Sequence, residues 1–169
     1  MSIPMNLFNI QKNKGSIAAS SHIKDGLACT VDPDLVGYLV PGQAVKLVPG
    51  ATFSSTIVTA ADPTDDIYGF VIYSIKGNQF AANSQVDITR AGMIQIMQAA
   101  GALDAGVRVG TTATNQKIQS ATDMTITPVG LLLDKAINDG DLVRVEILVP
   151  DRFTLAMLQA LILATDIDS

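Results

Sequence analysis

The sequence predicts an all-β protein: a small barrel or jelly-roll-like sandwich with two similar halves, an extended N-terminal arm and a short C-terminal helix. Three observations predict this class. Short runs rich in Val, Ile, Thr and Tyr are bounded by Gly, Pro, Asn and Asp, which is typical of strands separated by turns. One stretch of the chain occurs twice. Between residues 36 and 149, no segment has the length and the 3.6-residue period of a helix.

The repeated stretch begins at Gly42 and again at Gly106. Each copy reads as a short strand after a glycine turn, a polar excursion, a glycine followed by an apolar strand, a second turn and a last strand. Gly69 follows Gly42 by 27 positions and Gly130 follows Gly106 by 24, so the two copies match approximately. We therefore expect two similar halves within the body.

The body is predicted to comprise residues 36–149, because its many short strands are of the kind that form sandwiches and barrels. Apolar and polar residues alternate at 143–147, as expected of a half-buried strand. The predicted strands are 44–48, 53–59, 67–75, 85–88, 92–97, 107–111, 117–119, 128–133 and 142–148.

Residues 1–35 are predicted to form an arm with one short strand at 17–19, because residues 1–30 lack a sustained hydrophobic period. Residues 1–24 contain three of the 11 basic residues and no acid, which leaves 8 basic and 16 acidic residues in the rest of the chain. A basic arm on an acidic body can dock on acidic neighbours. The candidates for contact with a partner protein are therefore Lys12, Lys14 and Lys24.

Residues 150–169 are predicted to form a helix and a tail. Asp151 can cap a helix, and residues 153–164 are strong helix formers in which only Thr154 and Gln159 are polar. A helix that is apolar all round has to be buried, either on its own domain or between subunits. The candidates for a subunit interface are Phe153, Met157, Leu158 and Leu161.

The composition favours a protein that buries surface against other subunits. Hydrophobic residues make up 48% of the chain and charged residues 16%, against about 25% charged residues in an average soluble domain. The apolar surplus suggests surface that partner subunits cover.

The net charge of −5 argues against nucleic acid as a partner, since binding it needs clustered Lys and Arg. The single cysteine, Cys29, excludes an internal disulfide. No signal-peptide pattern is visible, and the longest apolar stretch is shorter than the about 20 residues that cross a bilayer, so we expect a product of the cytoplasm with no membrane partner.

We predict no catalytic, cofactor-binding or metal site, and hence a non-enzymatic protein. A nucleophile needs a base beside it, and the only histidine, His22, lies in the predicted arm. One His and one Cys are too few ligands for a zinc site. An acidic turn with Asp62, Asp65 and Asp66 offers oxygen ligands for calcium but lacks EF-hand spacing, so a solvated turn is the simpler interpretation.

One short motif suggests an alternative. Asp134-Lys135-Ala136 matches the Asp-Lys-Ala signature at the hairpin tip of lipoyl carrier domains, which are also small β barrels with two similar halves. The sequence departs from that family in the two leucines before the motif, and only one further strand follows Lys135, where the family has about half a domain. A carrier modified at Lys135 is therefore the second hypothesis.

The doubled pattern resembles the capsid decoration, or structural cement, proteins of tailed bacteriophages over about residues 36–149. Members of that family read as Gly-x-x-Val-x-Leu, a variable excursion, a glycine with an apolar strand, and Gly-Asp-x-Val-x-Val. The matching residues here are Gly42, Val45, Leu47, Gly69, Phe70, Val71, Gly106, Val107, Val109, Gly130, Leu131, Leu132, Gly140, Asp141, Val143 and Val145.

This resemblance implies a β knob that forms a homotrimer on the outer surface of the assembled head and clamps adjacent major capsid subunits. The protein would be made in the host cytoplasm and reside on the virion exterior. The three arm lysines would then contact the capsid. A third hypothesis is another virion part of the same β-rich type, such as a head-fibre base or a host-adhesion domain.

Overall fold

The computed structural model describes residues 14–15, 17–19, 27–49, 56–74, 77–113, 116–122 and 125–148. This part of the chain is all-β, as predicted, and it contains no helix and hence none that could cross a bilayer. Its eleven strands are β1 (Ile17–Ala19), β2 (Leu27–Val31), β3 (Ala44–Leu47), β4 (Ile57–Ala60), β5 (Gly69–Val71), β6 (Gln85–Thr89), β7 (Ile94–Ala100), β8 (Arg108–Thr111), β9 (Ile118–Ser120), β10 (Gly130–Leu132) and β11 (Asp139–Ile147).

Strands β2 to β6 form a closed five-stranded barrel in the order β2-β4-β3-β5-β6. Four of the five pairings are antiparallel, and the fifth is a parallel pairing of β2 with β4 that places Val31 opposite Val58. Because the strands return on themselves, the barrel has no open sheet edge along its wall. We call this unit barrel 1.

The remaining strands form a second sheet in the order β1-β7-β11-β10-β8-β9. Strand β7 also pairs in parallel with β9, where Ala99 lies opposite Ile118, so β7 to β11 close into a second five-stranded ring. Strand β1 is added to β7 next to Ile94 and Gln95. We call the ring of β7 to β11 barrel 2.

The two barrels have the same topology, strand for strand. Strand β2 corresponds to β7, β3 to β8, β4 to β9, β5 to β10 and β6 to β11, and each barrel closes through one parallel pair. The registers correspond as well: Val45 lies opposite Gly69 in barrel 1, and Val109 lies opposite Gly130 in barrel 2. The two similar halves predicted from the repeat are confirmed, and each half is a barrel in its own right.

Each barrel has an apolar core, but the two cores differ in extent. Barrel 1 encloses a cluster that includes Cys29, Val45 and Ile88. The cluster of barrel 2 also takes in four residues of barrel 1, because these side chains point away from the barrel 1 interior and pack on barrel 2. They are Ala44, Ala61, Ile67 and Phe70. The barrels therefore share a buried apolar junction.

Glycines at the start of β5 and of β10 allow the strands to approach closely. A Cβ atom on Gly69 would overlap the carbonyl oxygen of Thr89, and one on Gly130 would lie 2.6 Å from the carbonyl oxygen of Glu146. No larger residue fits without moving the neighbouring strand. The two glycines that anchored the sequence repeat are thus required by equivalent contacts in the two barrels.

Several strands differ from the predicted ranges in their bounds: the strand predicted at 67–75 is Gly69–Val71, and the one predicted at 92–97 is Ile94–Ala100. A larger change concerns strand β2, which lies inside the predicted arm, 1–35, yet is a full member of barrel 1 and closes it. Its burial alternates only in its second half, so the strand is hard to recognise locally. Strand β1 coincides with the short strand expected at 17–19. The predicted helix and tail, 150–169, lie outside the described residues.

Candidate functional site

A buried polar network joins the two barrels. The side chain of Gln95, on β7, is fully buried and accepts a hydrogen bond from the hydroxyl of Thr89, on β6, at 2.9 Å. Its Nε2 donates to the carbonyl oxygens of Gly15, at 2.9 Å, and Val71, at 3.0 Å. Gln95 thus satisfies both ends of its amide in the apolar junction, and it ties together barrel 1, barrel 2 and the start of the described chain.

Gly15 is held in this junction by its backbone. Its N–H donates to the carbonyl oxygen of Ile96 at 2.7 Å, and its carbonyl oxygen accepts from the N–H of Tyr73 at 3.0 Å. It has φ +84°, and a Cβ atom there would lie 2.6 Å from Cβ of Pro41. The stretch predicted as an arm is therefore anchored to both barrels at this residue.

Lys14 is the one candidate partner contact that lies within the described residues. Its side chain is half-buried, and burial lowers the pKa of its amine, with a further lowering from the positive charge of Lys117. Lys117 in turn forms an ion pair with Asp139 at 2.8 Å. The other candidates lie outside the described residues: Lys12 and Lys24 of the arm, and Phe153, Met157, Leu158 and Leu161 of the predicted interface.

The acidic turn considered for calcium has another role in barrel 1. The carboxylate of Asp65 accepts from Lys46 at 2.8 Å and from the backbone N–H of Asp62 at 2.7 Å. Among the described residues, no group of three or more His, Cys, Asp or Glu side chains is arranged to hold a metal ion. The turn is closed by its own backbone and by a surface lysine.

Lys135, the residue of the carrier hypothesis, lies in the connection between β10 and β11. Its amine is exposed and lies 3.1 Å from a carboxylate oxygen of Asp104. The residues on either side of it are tied down: Asp134 pairs with Arg144 at 2.6 Å, and Ala136 forms an isolated β-bridge with Leu103. The motif is therefore in an anchored connection between strands.

Exposed apolar side chains stand on short connections of both barrels. Val36 is 97% exposed and Tyr38 57% exposed, next to the bridge between Leu39 and Phe80 in barrel 1. Ile137 is 70% exposed, next to the corresponding bridge in barrel 2. Sequence reasoning missed these three residues, because hydrophobic side chains in connections give no periodic signal.

The fold is similar to that of a known phage protein. It resembles the N base of the head fibre gp8.5 of bacteriophage phi29, with a TM-score of 0.51 and 12% sequence identity, over 73% of this chain and 92% of that chain. At this identity the likeness concerns the fold. No protein-family model matches the sequence. No curated protein matches it either.

Proposed function

We propose that the chain is a non-enzymatic structural protein of a tailed-phage head, which binds the outer surface of the assembled capsid as a trimer and stabilises contacts between major capsid subunits. One observation carries the proposal: the fold corresponds to nearly the whole length of the phi29 head-fibre base, with 92% of that chain covered. The Gly-x-x-Val pattern of decoration proteins, which falls on equivalent strands of the two barrels, supports it.

The physical basis of such a role is mass action. A protein that binds the assembled lattice, and not the separate coat subunits, stabilises the lattice by RT ln(1 + [L]/Kd), which grows with its free concentration. A trimer adds to this effect, because three weak contacts engage together at a high effective concentration. The apolar side chains of Val36, Tyr38 and Ile137 offer contact area for such a partner, since exposed apolar groups favour protein interfaces.

The charged and apolar termini supply the remaining proposed contacts. Lys12 and Lys24 would reach acidic capsid neighbours, with Lys14 contributing less because its amine is half-buried beside the barrel junction. The apolar residues Phe153, Met157, Leu158 and Leu161 would join the three subunits. Major capsid protein and other copies of the chain are the partners in this proposal.

A base for a head fibre is the second candidate, favoured by the name of the phi29 protein that shares the fold. The two roles share attachment to the head and differ in what the bound protein carries. A decoration protein ends at its own surface, whereas a fibre base continues into a longer appendage. Images of bound particles distinguish them.

Co-sedimentation tests the proposal. The purified chain is mixed with phage heads that lack it, or with unassembled coat subunits, and light scattering gives its own mass. We expect saturable binding to heads, none to coat subunits, and the mass of a trimer. Tyr38→Ser should weaken head binding, and Lys135→Ala, a change on an exposed ion pair, serves as the control. A monomer that does not co-sediment with assembled heads would contradict the proposal.

A further inference from the structure

The two barrels pack on one another through unlike faces. Barrel 1 presents three fully buried residues that lie side by side across β3, β5 and β6: Ala44, Phe70 and Thr89. We call them row 1. Barrel 2 meets row 1 with two glutamines: Gln95 accepts from the threonine hydroxyl at 2.9 Å, and the Oε1 of Gln116 accepts from the N–H of Ala44 at 3.3 Å.

The same positions of barrel 2 carry different chemistry. Across β8, β10 and β11, Arg108 pairs with Leu131 and Leu131 pairs with Glu146, in the register of row 1. We call these residues row 2. Arg108 is exposed, and the other two are half-buried. The positions of barrel 1 that correspond to the two glutamines are Leu27 and Thr56, as the strand registers show.

Unlike faces have a consequence for assembly. A contact between two different faces leaves one of each face unused on every chain, so it can repeat from copy to copy into rings or filaments. Among the described residues, the faces that no second barrel covers are row 2 on barrel 2 and the face of barrel 1 that carries Leu27 and Thr56, which we call the Leu27 face. If they met as the barrels of one chain meet, Glu146 would be opposite Leu27. Its carboxylate would lose water and gain no hydrogen-bond donor from Leu27, which is unfavourable.

We propose that row 2 keeps a second copy of the chain from packing on barrel 2 in the way that barrel 2 packs on barrel 1. Arg108 and Glu146 stand where row 1 has Ala44 and Thr89, whose small and neutral side chains can be buried against a neighbouring barrel. The stacking of barrels therefore stops at two. Contacts between copies in any oligomer then use other surfaces. The inference depends on the internal repeat and is independent of the proposed function.

Restoring row 1 chemistry tests this inference. The variant Arg108→Ala, Glu146→Thr, Leu27→Gln recreates three of the five residues of the internal junction, leaves Leu131 and Thr56 as they are, and keeps the net charge. We expect its weight-average mass by sedimentation to rise with concentration to at least about twice that of the wild type, as for added copies. The control, Lys135→Ala with Asp87→Thr, removes one charge of each sign elsewhere and should keep the wild-type mass. A folded variant with the wild-type mass at every concentration overturns the inference.

Discussion

Thr89 and Gln95 hydrogen-bond across the junction of the two barrels, with 2.9 Å between the hydroxyl and the amide oxygen. The same amide donates to the carbonyl of Gly15. A single buried side chain therefore connects the repeated units with the segment that precedes them. The stability of the whole molecule should depend on this contact more than on any exposed ion pair.

Replacing Gln95 with Met should destabilise the protein. The change keeps the shape but removes three hydrogen bonds of a fully buried amide, while the Val71 carbonyl keeps its bond from Gly42. We expect a loss of about 1–3 kcal/mol in the free energy of unfolding, measured in urea. Gln98→Met on the same strand, where the half-buried amide makes one bond to Gly140, is the control and should change stability by less than about 0.5 kcal/mol. Equal losses of stability in Gln95→Met and Gln98→Met would contradict a stabilising role for the buried Gln95 network.

A comparison of Gly15→Ala with Gly92→Ala should separate the cost of overpacking at the junction from the cost of backbone strain. The new methyl group would overlap Pro41 at the junction, in addition to the cost of φ +84°. Gly92 has nearly the same φ, +89°, with open space where a Cβ would be, so Gly92→Ala measures the strain alone. We expect Gly15→Ala to lose about 1–3 kcal/mol more than Gly92→Ala in urea unfolding. Similar losses would mean that residue 15 is not held between the barrels.

The equivalence of the two barrels predicts similar losses at Gly69 and Gly130. Alanine at either position pushes a strand away from a neighbouring carbonyl, so each change should lower stability by about 1–3 kcal/mol or more. Gly77→Ala, where a Cβ meets nothing within 4 Å, is the control and should have little effect. A tolerated alanine at only one of the two positions would show that the barrels are not equivalent there.

Cys29 should make stability fall at high pH. Burial raises the pKa of its thiol to about 11, above the ordinary 9.0, because the apolar core of barrel 1 disfavours the thiolate. As pH rises from about 9 to about 11, the unfolded chain releases this proton and the folded chain keeps it, so folding weakens. We expect the free energy of unfolding to decline over this range more steeply in the wild type than in Cys29→Ala. If the free energies of unfolding of the wild type and of Cys29→Ala declined in parallel, the thiol would not have the raised pKa that burial gives it.

The sequence predicted the individual strands better than the way in which they close into barrels. Strands such as Ala44–Leu47 and Gln85–Thr89 follow from alternating residues and turn glycines, which act within a few positions. Closure depends on parallel pairings between distant strands, as between Val31 and Val58, which leave no local pattern. For this reason the sequence alone places Leu27–Val31 in the arm.

The candidate site was less accessible from the sequence than the fold. A glutamine within an apolar strand reads as solvent-facing, and only the packing of barrel 1 on barrel 2 buries Gln95. The anchored position of Gly15 could not be predicted either, because a glycine among serines and lysines is typical of a flexible segment. The repeated glycines were the exception: their spacing indicated two similar halves, and in the structure Gly69 and Gly130 make equivalent close approaches.

Electron cryomicroscopy of the virion tests the central claim most directly. Under the proposed function, a phage that encodes the chain is imaged beside a mutant phage that lacks the gene. We predict difference density of two adjoining small barrels on the outer face of the head, in trimeric clusters that bridge neighbouring capsid subunits. Density of this shape on the tail, or heads of identical structure with and without the gene, would contradict the account.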